Sequence, residues 1–474
     1  MQTRHPPQRP STPWAIASLS LSMLLSSLGT SIANVALPTL AEAFATSFQA
    51  VQWIVLAYLL ASTTLLVTVG RLADMVGRRR LLLAGILLFT VASVACGAAP
   101  TLWVLIAARA AQGLGAAVMM TLTMALVVEA VPKERVGRAM GVLGTMSAVG
   151  TALGPSLGGA LLAAFDWRAI FLVNVPIGLV GYLLAGRHLP PDRSPRTSDR
   201  ARLDTAGTLV LALTLGAYAL AMTIGRGSFG PLNAGLLLAA AVGVGVFVRV
   251  EQRAASPLLR LAAFRDPGLS AGLVMSTVVS TVMMATLVVG PFYLSRTLAL
   301  DPARVGLAMS VGPIVAALAG VPAGRLVDRL GTRRVMLVGL GGIAIGSTLL
   351  AALPAWSGTL GYVVAVAVIT ADYALFQAAN NTAVMANVAP DQRGVVSGML
   401  NLSRNLGLIT GASVLGAVFA MTSGASRLTD AAPEAVAAGM RTTFAVAALL
   451  AVGAFAIAAH GRATRRDLPT EIQA

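Results

Sequence analysis

Charge is scarce in this sequence. Asp, Glu, Lys and Arg make up 11% of its 474 residues, under half the share of an average soluble domain. A soluble protein this poor in charge could not cover its surface. Lysine is reduced to Lys133, and no Walker A sequence surrounds it, which excludes ATP hydrolysis through a P-loop. Cysteine is reduced to Cys96, inside an apolar block. That excludes an intramolecular disulfide and a cysteine-based metal site, and leaves Cys96 as a small packing residue. The three histidines, His5, His188 and His460, lie in tails or a linker and form no ligand cluster, so no metal is expected. Gly225-x-Gly-x-x-Gly230 matches a dinucleotide fingerprint but follows an apolar helix and has no strand-turn-helix context. No nucleophile–base constellation stands out. The chain is not expected to be an enzyme or to need a cofactor.

What the chain does have is apolar length. Hydrophobic residues make up 57% and mean hydropathy is +0.81. They fall in blocks of roughly 20 residues, enough to cross a bilayer core. Fourteen such blocks are expected to be helices: 14–37, 50–70, 81–98, 102–128, 139–163, 169–186, 206–224, 233–250, 270–294, 304–324, 335–353, 361–386, 394–420 and 440–459. Arg4 and Arg9 before the first block resemble the start of a signal peptide. Because many spans follow, that block is read as a retained transmembrane helix.

A net charge of +16 would suit nucleic-acid binding, but the basic residues sit in short clusters between apolar blocks, with no patch interleaved with aromatics. Sorted along fourteen spans, only Arg168, Arg226, Arg296, Arg304, Arg427 and Arg441 fall on the side opposite the termini, and Arg109 and Arg404 fall within spans. All the other basic residues share the side of the termini. The positive-inside bias therefore puts both termini in the cytoplasm. The predominance of arginine over lysine suggests a GC-rich bacterium, whose inner membrane is the expected location.

One segment occurs twice. Gly70-Arg-Leu-Ala-Asp-Met-Val-Gly-Arg-Arg-Arg80 recurs 254 residues later as Gly324-Arg-Leu-Val-Asp-Arg-Leu-Gly-Thr-Arg-Arg334, and Pro132-Lys-Glu-Arg135 is echoed 258 residues later by Pro390-Asp-Gln-Arg393. Similar offsets at two places indicate a duplicated unit. The expected organisation is a cytoplasmic tail (1–13), a six-helix bundle (14–186), a cytoplasmic linker (187–205), two extra transmembrane helices (206–250), a second linker (251–269), a second six-helix bundle (270–459) and a cytoplasmic tail (460–474). In the repeated loop, Gly70, Gly77 and Gly324 permit tight turns and close helix approach. Asp74, Arg78 and Arg79, with Asp328 and Arg333 in the second copy, can pair across the turn or cap a helix. Such contacts would latch the two halves together on the cytoplasmic side; the plainer reading is a topology signal alone.

Gly-x-Leu-x-Asp-x-x-Gly-Arg-Arg resembles the signature loop of the major facilitator superfamily. Arg109-Ala-Ala-Gln-Gly-Leu-Gly115 is similar to that superfamily's fourth-helix motif, and Gly150-Thr-Ala-Leu-Gly-Pro-Ser-Leu-Gly-Gly159 to its fifth-helix antiporter motif. Asn34-Val-Ala-Leu-Pro38 resembles the first-helix signature of the fourteen-helix drug/proton antiporters of the EmrB/QacA type. The resemblance spans nearly the whole chain. It implies an all-α major facilitator fold and export of drug-like molecules against inward proton flow, with no cofactor beyond the proton gradient. It also implies a part in proton coupling for Arg109. One departure stands out: the family's first-helix motif usually has an aspartate where this chain has Gly29.

Charged groups at membrane depth are costly and usually face a cavity or a partner. Arg109 shares a helical face with Gln112, Gly113, Ala116 and Met120, a stripe expected to face the central cavity; the alternative is an arginine bonded to backbone carbonyls. Arg404 lies on one arc with Ser397, Asn401 and Asn405, suited to a polar network or to substrate, and is a candidate with Asp372 and Arg109 for proton coupling. Asp372, near mid-membrane, is expected to take over the proton-carrying role left empty at Gly29; the alternative is a carboxylate paired permanently to an arginine. Gly150, Gly154 and Gly158 recur at i+4 beside Pro155 and Gly159. They form a smooth face expected to pack on the C-terminal half and seal the cavity. Asn34, Trp53, Tyr58, Gln112, Met120, Tyr373, Phe376, Gln377, Asn380, Asn381, Asn401 and Asn405 are candidates for an amphiphilic pocket, and aromatic and methionine walls suit adaptable binding.

The expected function is proton-coupled export of toxic or drug-like amphiphiles by alternating access. The alternatives are export of one metabolite or antibiotic and, in a different class, a non-transporting receptor or scaffold. The expected partners are a small-molecule substrate, protons and the bilayer, with no nucleic acid, and a monomer is sufficient. The ligand's charge stays open, because Asp372 suits a cation and Arg404 an anion.

Overall fold

In the computed structural model, residues 12–66, 68–131, 136–192, 205–224, 230–253, 265–352, 354–386, 388, 393–423 and 432–460 are described. Both copies of the Pro132 and Pro390 echo lie largely outside them, as do most of the tails and of the expected linkers. Among the described residues there are 14 helices long and apolar enough to cross a membrane. In chain order they are α1 (Pro13–Val35), α2 (Phe48–Leu66), α3 (Arg78–Gly97), α4 (Leu102–Val127), α5 (Val142–Ala164), α6 (Ala169–His188) and α7 (Ala206–Thr223). They continue with α8 (Pro231–Arg253), α9 (Pro267–Thr297), α10 (Pro302–Leu330), α11 (Thr332–Ala352), α12 (Ser357–Ala386), α13 (Val396–Thr422) and α14 (Pro433–His460).

The helices alternate in direction, and contacts at their ends agree with that. We call the face where α1 starts proximal and the opposite face distal. At the proximal face Trp14 stacks on His188, with centroids 5.9 Å apart. At the distal face Thr297 donates to the Pro433 carbonyl at 3.1 Å. Large apolar side chains cover the outside: Trp103 is 74% exposed, Leu318 72% and Leu449 72%. Such a surface requires lipid around it. This is a multi-pass membrane protein.

Many serines and threonines inside the helices return their hydroxyls to the preceding turn, as Ser18, Ser22 and Ser26 do along α1. That satisfies them in an apolar surrounding. Between helices the packing relies on small residues. Gly113 of α4 lies against the Tyr58 backbone and Gly115 against the Gly85 carbonyl and the Phe89 backbone, close approaches that lipid-embedded helices use in place of a hydrophobic driving force.

The repeated loop is built alike in both halves. Gly77 (φ 102°) and Gly331 (φ 80°) both turn the chain in a left-handed conformation, which glycine adopts without a side-chain clash. Two residues after each, Arg79 donates to the Gly186 carbonyl near the end of α6 and Arg333 donates to the Ala459 carbonyl near the end of α14. Asp192 accepts from the Arg79 and Arg80 amides at 2.7 and 3.1 Å, capping the start of α3 with a negative charge. These contacts of Arg79, Arg80 and Arg333 stay within one half. The Asp74 side chain lies outside the described residues.

The extra pair is unequal. α7 packs on α2, where Trp53 Nε1 donates to Thr223 Oγ1 at 3.1 Å and Thr68 pairs with Thr208 at 2.9 Å. It also reaches α13, where Tyr218 donates to Thr410 at 3.2 Å. α8 packs on α7. α7 therefore bridges the two halves along one side.

Candidate functional site

The halves meet at the distal face. Gly159 of α5 and Gly306 of α10 cross backbone to backbone: a methyl placed on Gly159 would lie 2.5 Å from the Pro302 carbonyl oxygen and 2.8 Å from Gly306 Cα. Phe48 of α2 fits between Phe292 and Phe419, with centroids 4.9 and 5.1 Å away. Gln52 Nε2 donates to the Ala412 carbonyl at 3.0 Å, within the π-helical stretch Gly411–Leu415 that frees carbonyls of α13. Glu42 and Arg296 form an ion pair between the halves. Towards the proximal face, in contrast, Gly144 of α5, Gly320 and Gly324 of α10 and Gly398 of α13 have open space around them. The described residues seal the molecule distally, and none of these four glycines is packed against a neighbour.

A cavity of about 300 Å³ lies between the halves. α5 supplies Ser147 and Thr151, α9 Met283 and Thr286, α10 Met309 and Pro313, α12 Tyr362, Thr370 and Tyr373, and α13 Arg404. Arg404 also borders a second, more polar recess of about 160 Å³ nearer the proximal face, with Gln377, Asn381, Ser397 and Asn401. α12 presents Tyr362, Val366, Thr370 and Tyr373 to the cavity and Gln377 and Asn381 to the recess, one stripe at helical spacing. The path thus runs from a polar recess, past an arginine, into a largely apolar chamber walled by methionine, tyrosine and threonine.

The expected pocket residues divide accordingly. Tyr373, Gln377, Asn381 and Asn401 are on the path. Asn405 is half-buried and lines neither chamber, and Met120 likewise lines neither. Phe376 is buried with its backbone against Gly339 of α11. Asn380 is buried and donates to the Gly272 carbonyl at 3.2 Å, Asn34 bonds to its own helix at Thr30, and Trp53 turns to α7. Sequence reasoning missed the contributions of α5, α9 and α10. Those helices carry no charge at this depth, and the α12 stripe beginning at Tyr362 was the available signal.

Arg109, Gln112 and Tyr58 do not face the cavity. Arg109 and Gln112 are 0% exposed, enclosed by α1, α2, α3 and α4. Arg109 Nε donates to the Ile54 carbonyl at 2.9 Å, and Nη1 to the Gly29 carbonyl at 3.0 Å and to Gln112 Oε1. Its guanidinium stacks 4.3 Å from the Tyr58 ring centre. Gln112 passes the link to Ser93 of α3 at 2.8 Å. The position of the missing acid explains part of this. A methyl on Gly29 would lie 2.8 Å from the Phe89 ring, so aromatic carbon fills the space, and backbone oxygens accept from Arg109 Nε and Nη1 while Nη2 is left without a partner among the described residues. The carbonyl-bonded alternative describes Arg109.

The glycine face of α5 also differs from expectation. Methyls on Gly150, Gly154 and Gly158 would meet Leu24, Ser27, Ser31, Ile32 and Val35 of α1, and Ser27 pairs with Ser147 at 2.8 Å. This face binds α1 within its own half, where the small side chains of Ser27 and Ser31 allow close approach. Gly159, one residue off that face, and the Pro155 carbonyl are what touch the other half.

Asp372 is half-buried on the face of α12 turned to α11, where a methyl on Gly342 would overlap its carboxyl. It makes no ion pair with a described residue, Arg404 included. It adjoins Tyr373 in sequence but not the cavity lining.

The sequence profile of the Major Facilitator Superfamily matches residues 19–284 and 269–472, one stretch for each half. The chain belongs to this superfamily. Among its relatives, multidrug resistance protein Stp of Mycobacterium tuberculosis is 32% identical over 409 residues, 85% of this chain and 75% of that protein. Drug efflux pump JefA of the same species is 34% identical over 437 residues, covering 89% and 84%. Riboflavin transporter RibZ of Clostridioides difficile is 28% identical over 404 residues, covering 85% and 87%. The nucleoside transporter NupG superposes with a TM-score of 0.68 at 14% identity, covering 94% of this chain and 100% of that one. A bacterial homolog of the human lysosomal transporter Spinster also gives 0.68, at 16% identity and 95% and 97% coverage. These structures share the fold of this superfamily member, which is a transporter and not an enzyme.

Proposed function

We propose that this facilitator exports amphiphilic small molecules from the cytoplasm of a bacterium across its inner membrane, driven by inward proton flow, with both termini cytoplasmic. The observation that carries this reading is the cavity between the halves. It has a polar recess leading from the proximal face, an apolar chamber with methionine and tyrosine walls, and a distal seal of glycine, phenylalanine and one glutamine. Such a chamber adapts to apolar ligands of varied shape. Rocking of the halves about it would break the Gly159–Gly306 and Phe48 contacts and expose the ligand distally. The names of Stp and JefA support the drug-efflux form of the reading; that of RibZ supports a dedicated exporter of one metabolite.

Asp372 is the proposed proton carrier. A carboxyl with no basic partner is cheaper neutral than charged in an apolar surrounding. Its position between α11 and α12, next to Tyr373, lets its charge alter how the cavity-lining stripe of α12 sits. Two experiments test the reading. Expression in an efflux-deficient bacterial host is expected to raise resistance to several unrelated amphiphiles; protection against one compound only would replace multidrug export with dedicated export. In everted vesicles, Asp372→Asn is expected to abolish the dependence of transport on the pH gradient; undiminished coupling would remove Asp372 from the role.

A further inference from the structure

We propose that the cavity selects amphiphiles that carry a negative charge, held on Arg404. The proposal rests on the reading of this cavity as the substrate site. Arg404 is exposed within the path, borders both chambers and makes no hydrogen bond or ion pair with a described residue. Among the described residues no acid lines either chamber, and Asp372 is turned to Gly342 instead. The remaining polar lining consists of neutral hydroxyls and amides, among them Ser147, Thr286, Tyr373 and Asn401.

While the cavity is wet, water solvates the guanidinium. A ligand that fills the chamber displaces that water and must replace its hydrogen bonds, because an unpaired cation in an apolar enclosure is costly. A carboxylate or sulfonate does so with a planar, charge-assisted pairing that suits arginine. A neutral amphiphile leaves the cation stranded, and a cationic one adds repulsion. The lining therefore both attracts the anion and disfavours its analogues. The aromatic and methionine walls take the ligand's apolar body.

The test uses two fluorescent probes with one aromatic skeleton: 8-anilinonaphthalene-1-sulfonate, which is anionic, and N-phenyl-1-naphthylamine, which lacks the sulfonate. Binding to the purified full chain in detergent is measured by equilibrium dialysis, with empty micelles as background; ethidium serves as a cationic comparison. The sulfonate is expected to bind more tightly than the other two. Arg404→Gln is expected to weaken sulfonate binding by about ten- to a hundredfold and, by removing the stranded cation, to leave naphthylamine binding unweakened or tighter. Arg404→Lys is expected to restore a good part of the loss. Equal affinities in the unaltered chain, tighter ethidium binding, or a sulfonate affinity unmoved in a monodisperse Arg404→Gln protein would each overturn the proposal. Because the assay reads binding and not flux, sulfonate preference without proton-driven transport would sink the exporter reading and leave this inference standing. Proton-driven transport without that preference would do the reverse.

Discussion

Replacing Gly159 by alanine should push the molecule out of the conformation seen here. The added methyl would lie 2.5 Å from the Pro302 oxygen and 2.8 Å from Gly306 Cα. Both obstacles are backbone, so no side chain can rotate away, and α5 and α10 must part by several tenths of an ångström. Overpacking of this kind costs about 1–3 kcal/mol. The cost falls only on the distally sealed state, because opening the distal face separates the two helices. At 1.4 kcal/mol per factor of ten, the balance between sealed and open states should move by roughly 5- to 150-fold. The assay is the labelling rate of a cysteine placed at Ala316, which lines the cavity, by a water-soluble maleimide added to the proximal side. Cys96, fully buried, is first changed to alanine. Gly159→Ala should slow labelling, by roughly threefold or more from an even balance of the two states and by no more than the shift in that balance. Gly154→Ala is the control: its methyl would strike Ser31 of α1 in the same half, so it should lower thermal stability without slowing labelling. Equal labelling rates for Gly159→Ala and the parent, in folded protein, would refute the assignment of the distal seal to this crossing.

Other substitutions probe the supports of the site. Gln52→Ala removes the hydrogen bond to Ala412, worth about 0.5–1.5 kcal/mol, and should slow the same labelling by at most roughly two- to tenfold. Arg109→Gln removes the hydrogen bonds to the Ile54 and Gly29 carbonyls, worth about 0.5–1.5 kcal/mol each. It should lower the melting temperature in a fluorescence-detected unfolding assay while leaving probe affinity in the cavity nearly unchanged; a selective loss of affinity would place Arg109 on the path after all. Gly77→Ala should destabilise more than Gly331→Ala. Both force a positive-φ extended conformation costing about 1–3 kcal/mol, but only at Gly77 would the methyl also meet a carboxyl, that of Asp192, whereas Gly331 has open space.

The helices were legible because a bilayer imposes one length and one polarity on every span. Even the short blocks at 169–186 and 335–353 became α6 and α11 within a few residues of the expected ends. The loop glycines were legible for a local reason, since Gly77 and Gly331 answer to their own φ. What spacing could not tell was which neighbour each face meets. The i+4 glycines of α5 announce a close approach but not that α1 makes it. The Arg109–Gln112 stripe announces a buried polar face, and whether it meets a cavity or three other helices depends on packing far along the chain. On α12, Asp372 and Tyr373 are adjacent in sequence yet about 100° apart around the helix. That rotation decides that tyrosine lines the cavity and aspartate faces α11. The repeated arginines Arg79 and Arg333 were noticed as a latch between halves, but their carbonyl partners, Gly186 and Ala459, carry no sequence signal at all.

Proton coupling is the central claim, and one measurement addresses it most directly. The purified chain is reconstituted into liposomes that enclose a fluorescent pH reporter, and 8-anilinonaphthalene-1-sulfonate, N-phenyl-1-naphthylamine and ethidium are added in turn while internal pH and probe movement are followed together. The account predicts that at least one probe moves with a matching proton flux in the opposite direction, and that Asp372→Asn uncouples the two. Probe movement with no change in internal pH would contradict it.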